Sequence, residues 1–128
     1  MNNAELVRSY LSSFETGDPD AVVRHVVDNF QNIQVAVLGS GCSGKAVYRE
    51  RLAKFLQDFE NLRYRVDELI VDGDRAAATY EMQFNREGRL IKIPGVMIFE
   101  FQEGLISVRK DYWDGLSYQE QTASALSG

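Results

Sequence analysis

Three side chains near the C-terminal end of the sequence have the types and the spacing for acid–base chemistry. Arg109, Asp111 and Trp113 alternate along a segment that is typical of a β-strand, and two-residue spacing directs all three to one face. If that face lines an apolar pocket, burial favours the protonated carboxyl and makes Asp111 a usable general acid or base. Alternatively, Arg109 neutralises Asp111 in a structural ion pair and leaves it inert. The spacing leaves both interpretations open.

The one histidine and the one cysteine of the chain lie outside any catalytic motif. His25 borders a run of valines, where a histidine is either a hydrogen-bonded border residue or a proton shuttle. Cys42 has neither a neighbouring histidine nor a second cysteine, so we expect no disulfide, no cysteine zinc site and no thiol nucleophile. The glycine-rich loop 39–44 lacks the Lys-Ser/Thr of a phosphate loop. We therefore expect neither a bound metal nor a cofactor.

Length and charge narrow the range of partners. The 128 residues suffice for one domain, and 45% apolar with 26% charged residues is typical of soluble globular proteins. The net charge of −5 repels phosphate backbones and anionic lipid, so we expect no nucleic-acid or membrane partner. The N-terminus lacks the basic start and apolar run of a signal peptide, and no stretch approaches the roughly 18 apolar residues of a membrane span. These features favour a cytoplasmic protein with a reduced thiol.

Hydrophobic periodicity divides the chain into a helical part followed by an extended part. Three- and four-residue spacing predicts a first helix that ends at Gly17 and a second that begins after Asp18. The apolar side of this short second helix is expected to consist of Val22, Val23, Val26 and Val27. A third helix carries a stripe that we expect to pack against a sheet, formed by Tyr48, Leu52, Phe55, Leu56 and Phe59.

After Asn61 the hydrophobic period becomes two, which indicates strands. Turn residues at 72–74, 85–88 and 102–104 separate the strands and predict an antiparallel meander. Helices followed by a meander make an α+β domain, in which helices on the concave side of a curved sheet leave a pocket. We expect this domain to cover residues 1–116, and the polar residues 117–128 to form a frayed tail.

Three segments carry a resemblance to a known family. They are the hinge Glu15-Thr16-Gly17-Asp18-Pro19-Asp20, the helix start Gly44-Lys45-Ala46-Val47-Tyr48-Arg49 and the closing Asp111-Tyr112-Trp113-Asp114. Over about residues 4–116 the chain resembles the SnoaL-like branch of the nuclear transport factor two-like superfamily, which also includes limonene-epoxide-hydrolase-like proteins. The resemblance implies N-terminal helices in the concave face of a curved, mostly antiparallel sheet, a cone-shaped barrel with a pocket. It does not imply one reaction, because the superfamily includes cyclases, isomerases, hydrolases, dehydratases and non-catalytic binders.

The steroid isomerase branch of this superfamily is a poor chemical match. Its oxyanion-donating tyrosine falls on Tyr10, but its general-base aspartate falls near Gln34 and its protonated aspartic acid near Met97. An amide cannot accept the substrate proton and a thioether cannot donate a hydrogen bond. The resemblance therefore predicts Tyr10 as a polar group of the site without the isomerase mechanism.

The epoxide hydrolase branch matches better but incompletely. Its catalytic aspartate falls on Asp111 and its asparagine on Asn32, whereas Phe30 replaces the tyrosine that holds water. Its arginine and second aspartate should lie where this chain has Ala78 and Tyr80. The coupling between the two acids is thus missing, and epoxide hydrolysis is not expected.

The resemblance and the residues together favour a cofactor-free enzyme acting on an apolar, oxygenated ring compound such as a polyketide, terpenoid or steroid. Asp111 would be the acid or base, assisted by Arg109 and Tyr10. The other residues expected at the pocket are Phe14, Phe30, Asn32, Gln34, Tyr80, Met97 and Trp113. The alternative is a non-catalytic ligand-binding or dimerisation module of the same fold.

The last strand also suggests how the chain associates. Ile106, Val108 and Tyr112 should lie on the face opposite Asp111, where they would form an apolar patch on the outer side of the sheet. Sheet-to-sheet pairing is common in the family that the chain resembles. We therefore expect a homodimer through this outer face.

Overall fold

Four long strands in the second part of the chain form an antiparallel meander, as the alternating pattern predicts. In the computed structural model, which describes residues 1–123, they are β3 (Glu60–Asp72), β4 (Arg75–Arg86), β5 (Arg89–Gln102) and β6 (Leu105–Trp113). The turns Glu87-Gly88 and Glu103-Gly104 have positive φ at both residues, between 52° and 78°. Such turns match the twist of a hairpin and favour glycine. The predicted turn at residues 72–74 likewise joins β3 to β4.

Two further strands extend the sheet beyond β6 and make it mixed. β1 (Val26–Gln34) runs parallel to β6, and the short β2 (Cys42–Ser43) pairs antiparallel with β1. The strand order β2-β1-β6-β5-β4-β3 leaves β2 and β3 as free edges. The sheet is therefore curved but unclosed, and the cone-shaped barrel expected from the sequence is an open sheet around a pocket.

Three α-helices precede the meander: α1 (Asn3–Ser13), α2 (Pro19–Val23) and α3 (Lys45–Asp58). On the concave side, α1 packs against β3 and α3 against β1, and α2 packs on α1 and α3. The side chains of Asn2 and Asp18 cap α1 and α2 by accepting hydrogen bonds from backbone N–H groups of the first turn. The face that α1 buries consists of Leu6, Val7, Tyr10 and Leu11. None of the helices within residues 1–123 is long and apolar enough to cross a membrane.

The second helix is shorter than the valine pattern predicts. It ends at Val23, and Val26 and Val27 lie in β1. The backbone N–H of Ile106 in β6 donates to the carbonyl of His25, 2.9 Å away, so the chain is already paired with the sheet at this point. β-Branched valines suit either element locally, and the pairing with β6 favours the strand.

The apolar stripe of α3 packs against the sheet along only part of its length. Tyr48 and Leu52 are buried, whereas Phe55, Leu56 and Phe59 are partly buried against the core. The rings of Phe55 and Phe59 stack with centroids 4.4 Å apart. Both rings line the cavity described below, so the second half of the stripe forms a wall rather than a filled interface.

The C-terminal segment contains a helix that its polar composition does not indicate. Residues Gly115–Thr122 form a fourth helix, α4, so the segment expected to fray is helical from 117 to 122, and 124–128 lie outside the described residues. The side chain of Asp114 caps this helix. Tyr118 packs edge-on against Trp113, and the amide of Gln121 bonds both backbone groups of Lys92. These contacts attach α4 to β5.

A β-bulge at Ser107 changes which side chains of β6 face inwards. The pairing with β5 shifts from Glu100–Val108 to Phe101–Ile106, which leaves one residue of β6 without a partner. Ile106 is consequently fully buried in the core. The expectation that it lies on the outer face beside Val108 is wrong, because simple alternation does not continue through a bulge.

Candidate functional site

A cavity of about 650 Å³ opens between the concave face of the sheet, α3, α4 and the loop that follows β1. This volume is in the range of small-molecule sites. Of the residues predicted at the pocket, those that line it are Phe14, Asn32, Gln34, Tyr80, Arg109, Asp111 and Trp113. The tertiary structure therefore brings together side chains from β1, β4, β6 and the turn after α1.

Three residues predicted at the pocket lie behind its wall instead. Tyr10, Phe30 and Met97 are completely buried and do not line the cavity. The ring of Phe30 packs on that of Tyr48, with centroids 4.8 Å apart, and so is covered by α3. Tyr10 still contributes to the site, because its hydroxyl contacts a residue that does line the cavity.

That residue is Arg109, which forms a buried ion pair with Asp111. Its Nη2 atom lies 2.7 Å from Asp111 Oδ2, and both residues are at most 5% exposed. The other carboxylate oxygen accepts a hydrogen bond from the Tyr80 hydroxyl at 2.6 Å. Asp111 is thus a paired carboxylate on the cavity wall, and the free acid that one interpretation of the sequence required is not observed.

Tyrosines surround the other side of the guanidinium. Nη1 donates to the hydroxyl of Tyr10 at 2.9 Å and to that of Tyr48 at 3.5 Å, and Nη2 donates to the hydroxyl of Tyr64 at 3.5 Å. The guanidinium carbon also lies 5.6 to 5.8 Å from the ring centroids of Phe14, Tyr10 and Tyr64, within the range of cation–π attraction. Among the described residues, only Nε of Arg109 is a buried side-chain polar atom without a partner.

These contacts fix the protonation states of the cluster. Burial by itself would lower the pKa of Arg109, but Tyr10, Tyr64 and Asp111 hold that pKa well above its ordinary value. Burial raises the pKa of Tyr64 to about 12 and holds the pKa values of Tyr48 and Tyr80 well above the phenol range. At neutral pH Arg109 is therefore a cation, and Tyr48, Tyr64 and Tyr80 are neutral phenols.

Tyr48 and Tyr64 are the members of the site that the sequence did not indicate as functional. Tyr48 lies in the apolar stripe of α3, which was expected to pack against the sheet, and Tyr64 lies on the buried face of β3. Both line the cavity. A tyrosine on a buried face indicates a functional residue only if a neighbouring arginine is known to be buried as well. The sequence does not show whether Arg109 is buried.

A chain of amide hydrogen bonds forms the wall next to this cluster. Trp113 Nε1 donates to Gln34 Oε1 at 2.9 Å, and Gln34 Nε2 donates to Asn32 Oδ1 at 2.8 Å. All three side chains line the cavity. The polar anchors predicted at Asn32 and Gln34 thus lie at the pocket.

The mouth of the cavity is charged on one side. Glu50, Arg51, Lys54 and Asp58 of α3 contribute to its lining. Arg51 Nη1 donates to the carbonyl oxygen of Gly41 at 2.6 Å and thereby holds the loop after β1 against α3. Within residues 1–123, no group of three His, Cys, Asp or Glu side chains is placed to hold a metal ion.

The family follows from this fold and from the sequence itself. The model of the SnoaL-like domain matches residues 7–109. The chain belongs to this family. A comparison with curated proteins gives no match.

Solved structures agree with the SnoaL-like fold. A protein with a ketosteroid isomerase-like fold from Catenulispora acidiphila, in complex with trimethylamine, is 15% identical with a TM-score of 0.85, over 95% of each chain. TerC, co-crystallised with polyporic acid, is 19% identical with a TM-score of 0.82, over 95% of this chain and 98% of TerC. A candidate SnoaL-like polyketide cyclase from Jannaschia is 16% identical with a TM-score of 0.79, over 95% and 92%.

His25 lies outside the cavity and has two hydrogen-bond partners. Its Nδ1 atom lies 3.0 Å from the carbonyl oxygen of Val22, and its Nε2 atom 2.8 Å from the hydroxyl of Ser9. Since a backbone carbonyl only accepts, Nδ1 carries the proton and Nε2 accepts from Ser9. Burial lowers the pKa of this imidazole. The contacts are those of a hydrogen-bonded border residue.

The buried ion pair predicts a large effect of Asp111→Asn on stability. Removing the carboxylate leaves the Arg109 guanidinium buried without a counter-charge, which should cost about 3–5 kcal/mol in the free energy of unfolding. The double variant Arg109→Met/Asp111→Asn removes both charges and should recover much of this loss. Urea titrations of the wild type, both single variants and the double variant measure the coupling. A coupling below about 1 kcal/mol, typical of an exposed pair, would contradict the observed pairing.

The lowered pKa of His25 leads us to expect a loss of stability in mild acid. The folded state keeps the imidazole neutral, whereas the unfolded chain takes up a proton below its ordinary pKa of about 6.5. The free energy of unfolding should therefore fall as the pH drops through about 6.5 towards the lower folded pKa, and be unaffected above it. His25→Asn removes this component and leaves the carboxylates in place. Urea titrations at several pH values between about 5 and 8 give the free energy of unfolding of both proteins. The difference between wild type and variant should become smaller as the pH falls. A constant difference would show that folding does not change the pKa of the imidazole.

Proposed function

We propose that this protein binds an apolar, oxygenated ring compound in the cavity and promotes a proton transfer on it without a cofactor. Aromatic side chains form much of the wall, including Phe14, Phe55 and Trp113, and flat rings pack well against such surfaces. The positive charge at the inner end is balanced by Asp111, which suits a ligand without net charge. TerC crystallised with polyporic acid and the candidate polyketide cyclase from Jannaschia, both of the same fold, support this class of ligand.

The observation that carries the catalytic part is the Tyr80–Asp111–Arg109 unit on the cavity wall. A buried ion pair is often no more stabilising than apolar residues of the same volume, so a pocket that only holds an apolar ligand gains little from one. As a base, Asp111 would take a proton from carbon next to a ligand carbonyl. The guanidinium of Arg109 would then remain to stabilise the negative charge that develops on the ligand oxygen. Aldol-type cyclisation and the isomerisation of a ketone both begin with a step of this kind.

The second candidate function is a non-catalytic ligand-binding module. Both oxygens of Asp111 already accept hydrogen bonds, and the residue is only 3% exposed. In this alternative Arg109 and Asp111 hold four tyrosines in place by hydrogen bonds, and Asp111 takes no proton from the ligand. The tyrosines are Tyr10, Tyr48, Tyr64 and Tyr80. The cavity and its ligand class are the same in both cases.

Hydrogen exchange on a carbonyl probe separates the two candidates without knowledge of the natural substrate. In deuterium oxide, the wild type should speed the exchange of the α-protons of 1-tetralone, followed by proton NMR, over the rate in buffer alone. The Arg109→Met/Asp111→Asn variant should lose the acceleration, since the base is gone. Tyr80→Phe should change the rate while retaining the ion pair.

Asp28→Asn is the matched control, since Asp28 is an exposed carboxylate outside the cavity, and its exchange rate should equal that of the wild type. Saturation-transfer NMR reports in parallel whether 1-tetralone binds. Binding without any acceleration would remove the catalytic role and leave the binding module.

We also propose a homodimer through the outer face of the sheet. Register places Val96 opposite Tyr112 and Ile98 opposite Lys110 on this face. Ile98 is half-buried and Tyr112 is 44% exposed. Pairing two such faces would remove the apolar surface from water.

Analytical ultracentrifugation at micromolar concentration should show a dimer, and Ile98→Lys should convert it to a monomer. Val37→Lys is the control, because Val37 is 99% exposed in the loop after β1 rather than on the sheet. A monomeric wild type would exclude this association.

A further inference from the structure

We infer that the inner cavity recognises its ligand by donating hydrogen bonds, with the free hydroxyl protons of Tyr48 and Tyr64 directed to one carbonyl oxygen and the amide protons of Asn32 to a second acceptor. The ligand class is therefore a ring ketone, or its enolate, that presents acceptors and needs no acceptor from the protein. This deepens the proposed function and rests on its ligand-binding part alone. It does not require proton transfer at Asp111.

The proton of Tyr10 is the first that can be assigned. A guanidinium can only donate, so the hydroxyl of Tyr10 must accept from Arg109. Tyr10 is completely buried, and among the described residues the only other partner of its hydroxyl is the hydroxyl of Tyr48. A buried phenol proton without an acceptor is unfavourable. Tyr10 therefore donates to Tyr48.

The protons of Tyr48 and Tyr64 are consequently left without an acceptor in the part of the chain that the structure describes. The hydroxyl of Tyr48 accepts from Tyr10 and Arg109, and that of Tyr64 accepts from Arg109. Neither hydroxyl has an acceptor for its own proton among residues 1–123. Both side chains line the cavity. Because each oxygen accepts from a cation, each proton is polarised and becomes a stronger donor.

The chain of hydrogen bonds from Trp113 through Gln34 to Asn32 also leaves a donor without an acceptor among the described residues, because the direction of each bond is fixed by its first member. The indole of Trp113 can only donate, so the side-chain carbonyl oxygen of Gln34 must point towards Trp113. The amide nitrogen of Gln34 then points towards Asn32 and donates to its oxygen. Asn32 therefore uses its oxygen on Gln34, and its own N–H groups have no acceptor within residues 1–123. Asn32 lies directly opposite Arg109 in the parallel pairing of β1 with β6, so this donor and the tyrosine donors share one end of the cavity.

The inner acceptors, in contrast, are engaged. Both oxygens of Asp111 accept from Tyr80 and Arg109, and the amide oxygens of Gln34 and Asn32 accept from their neighbours. Each of these oxygens already accepts one hydrogen bond, so a ligand hydroxyl that needs an acceptor has to compete with these neighbours. A site built to donate rejects a ligand that offers no acceptor, because its own protons then stay unpaired.

The test uses 9-fluorenone, which has a carbonyl but no α-hydrogen, so that it reports the donors and cannot undergo the proposed proton transfer. Fluorene, of the same shape without the oxygen, is the matched ligand. The wild type should bind fluorenone more tightly than fluorene, and the infrared carbonyl band should move to lower frequency on binding. Tyr64→Phe and Tyr48→Phe should each weaken the binding of fluorenone about 2- to 10-fold, as expected for one hydrogen bond, and reverse part of the band shift, with fluorene binding unchanged.

Tyr112→Phe is the control, because Tyr112 lies on the outer face and does not line the cavity. The inference is overturned if fluorenone fails to bind, if fluorenone and fluorene bind equally, or if the band keeps its frequency in the complex. Tighter binding of 9-fluorenol than of fluorenone would also overturn it, since that order requires a free acceptor. A band shift together with absent exchange of 1-tetralone would refute only the catalytic proposal.

Discussion

The burial of one guanidinium is the constraint on which the site depends. Arg109 is only 5% exposed, and a charge so far from water needs a counter-charge and hydrogen-bond partners. The partners come from four elements: Tyr10 of α1, Tyr48 of α3, Tyr64 of β3 and Asp111 of β6 itself. The same contacts therefore join the helical layer to the sheet and line the inner end of the cavity. Stability and the proposed ligand recognition depend on the same side chains, so changes at this cluster should affect both.

The cavity exists because the curved sheet and the helices separate towards the second half of α3. Leu52 is buried against the sheet, but the rings of Phe55 and Phe59 stack on each other and only partly fill the gap. α4 covers the far side through Tyr118, whose ring meets Trp113 and whose hydroxyl accepts a hydrogen bond from Arg86. The space that remains is bordered by aromatic faces, with the polar groups concentrated where β1 and β6 are paired. Under the proposed function, a flat ligand would lie with its oxygens towards the sheet.

Local rules were sufficient for much of the fold and failed where pairing between distant segments decided the outcome. The hairpin turns at Glu87-Gly88 and Glu103-Gly104 were predicted because their conformation is a property of the few residues involved. The end of α2, the bulge at Ser107 and the docking of α4 were not, because each depends on a strand or ring far away in sequence. The bulge alone moved Ile106 from the expected outer face into the core.

For the site, the sequence by itself determined that Arg109, Asp111 and Trp113 share a face, that the chain resembles the SnoaL-like proteins, and that Asn32, Gln34 and Tyr80 lie where their pocket is lined. Only the tertiary structure decided whether Asp111 is free or paired, because two-residue spacing fixes direction but not the distance between side-chain tips. It also decided that Tyr48 and Tyr64 belong to the site while Phe30 and Met97 lie behind it. A tyrosine in a helical stripe or on a buried strand face fits the same sequence pattern in two cases: when its ring packs in a core, and when its hydroxyl contacts a buried cation. The physical difference lies in which proton finds an acceptor, and that depends on groups up to 99 residues apart in the chain.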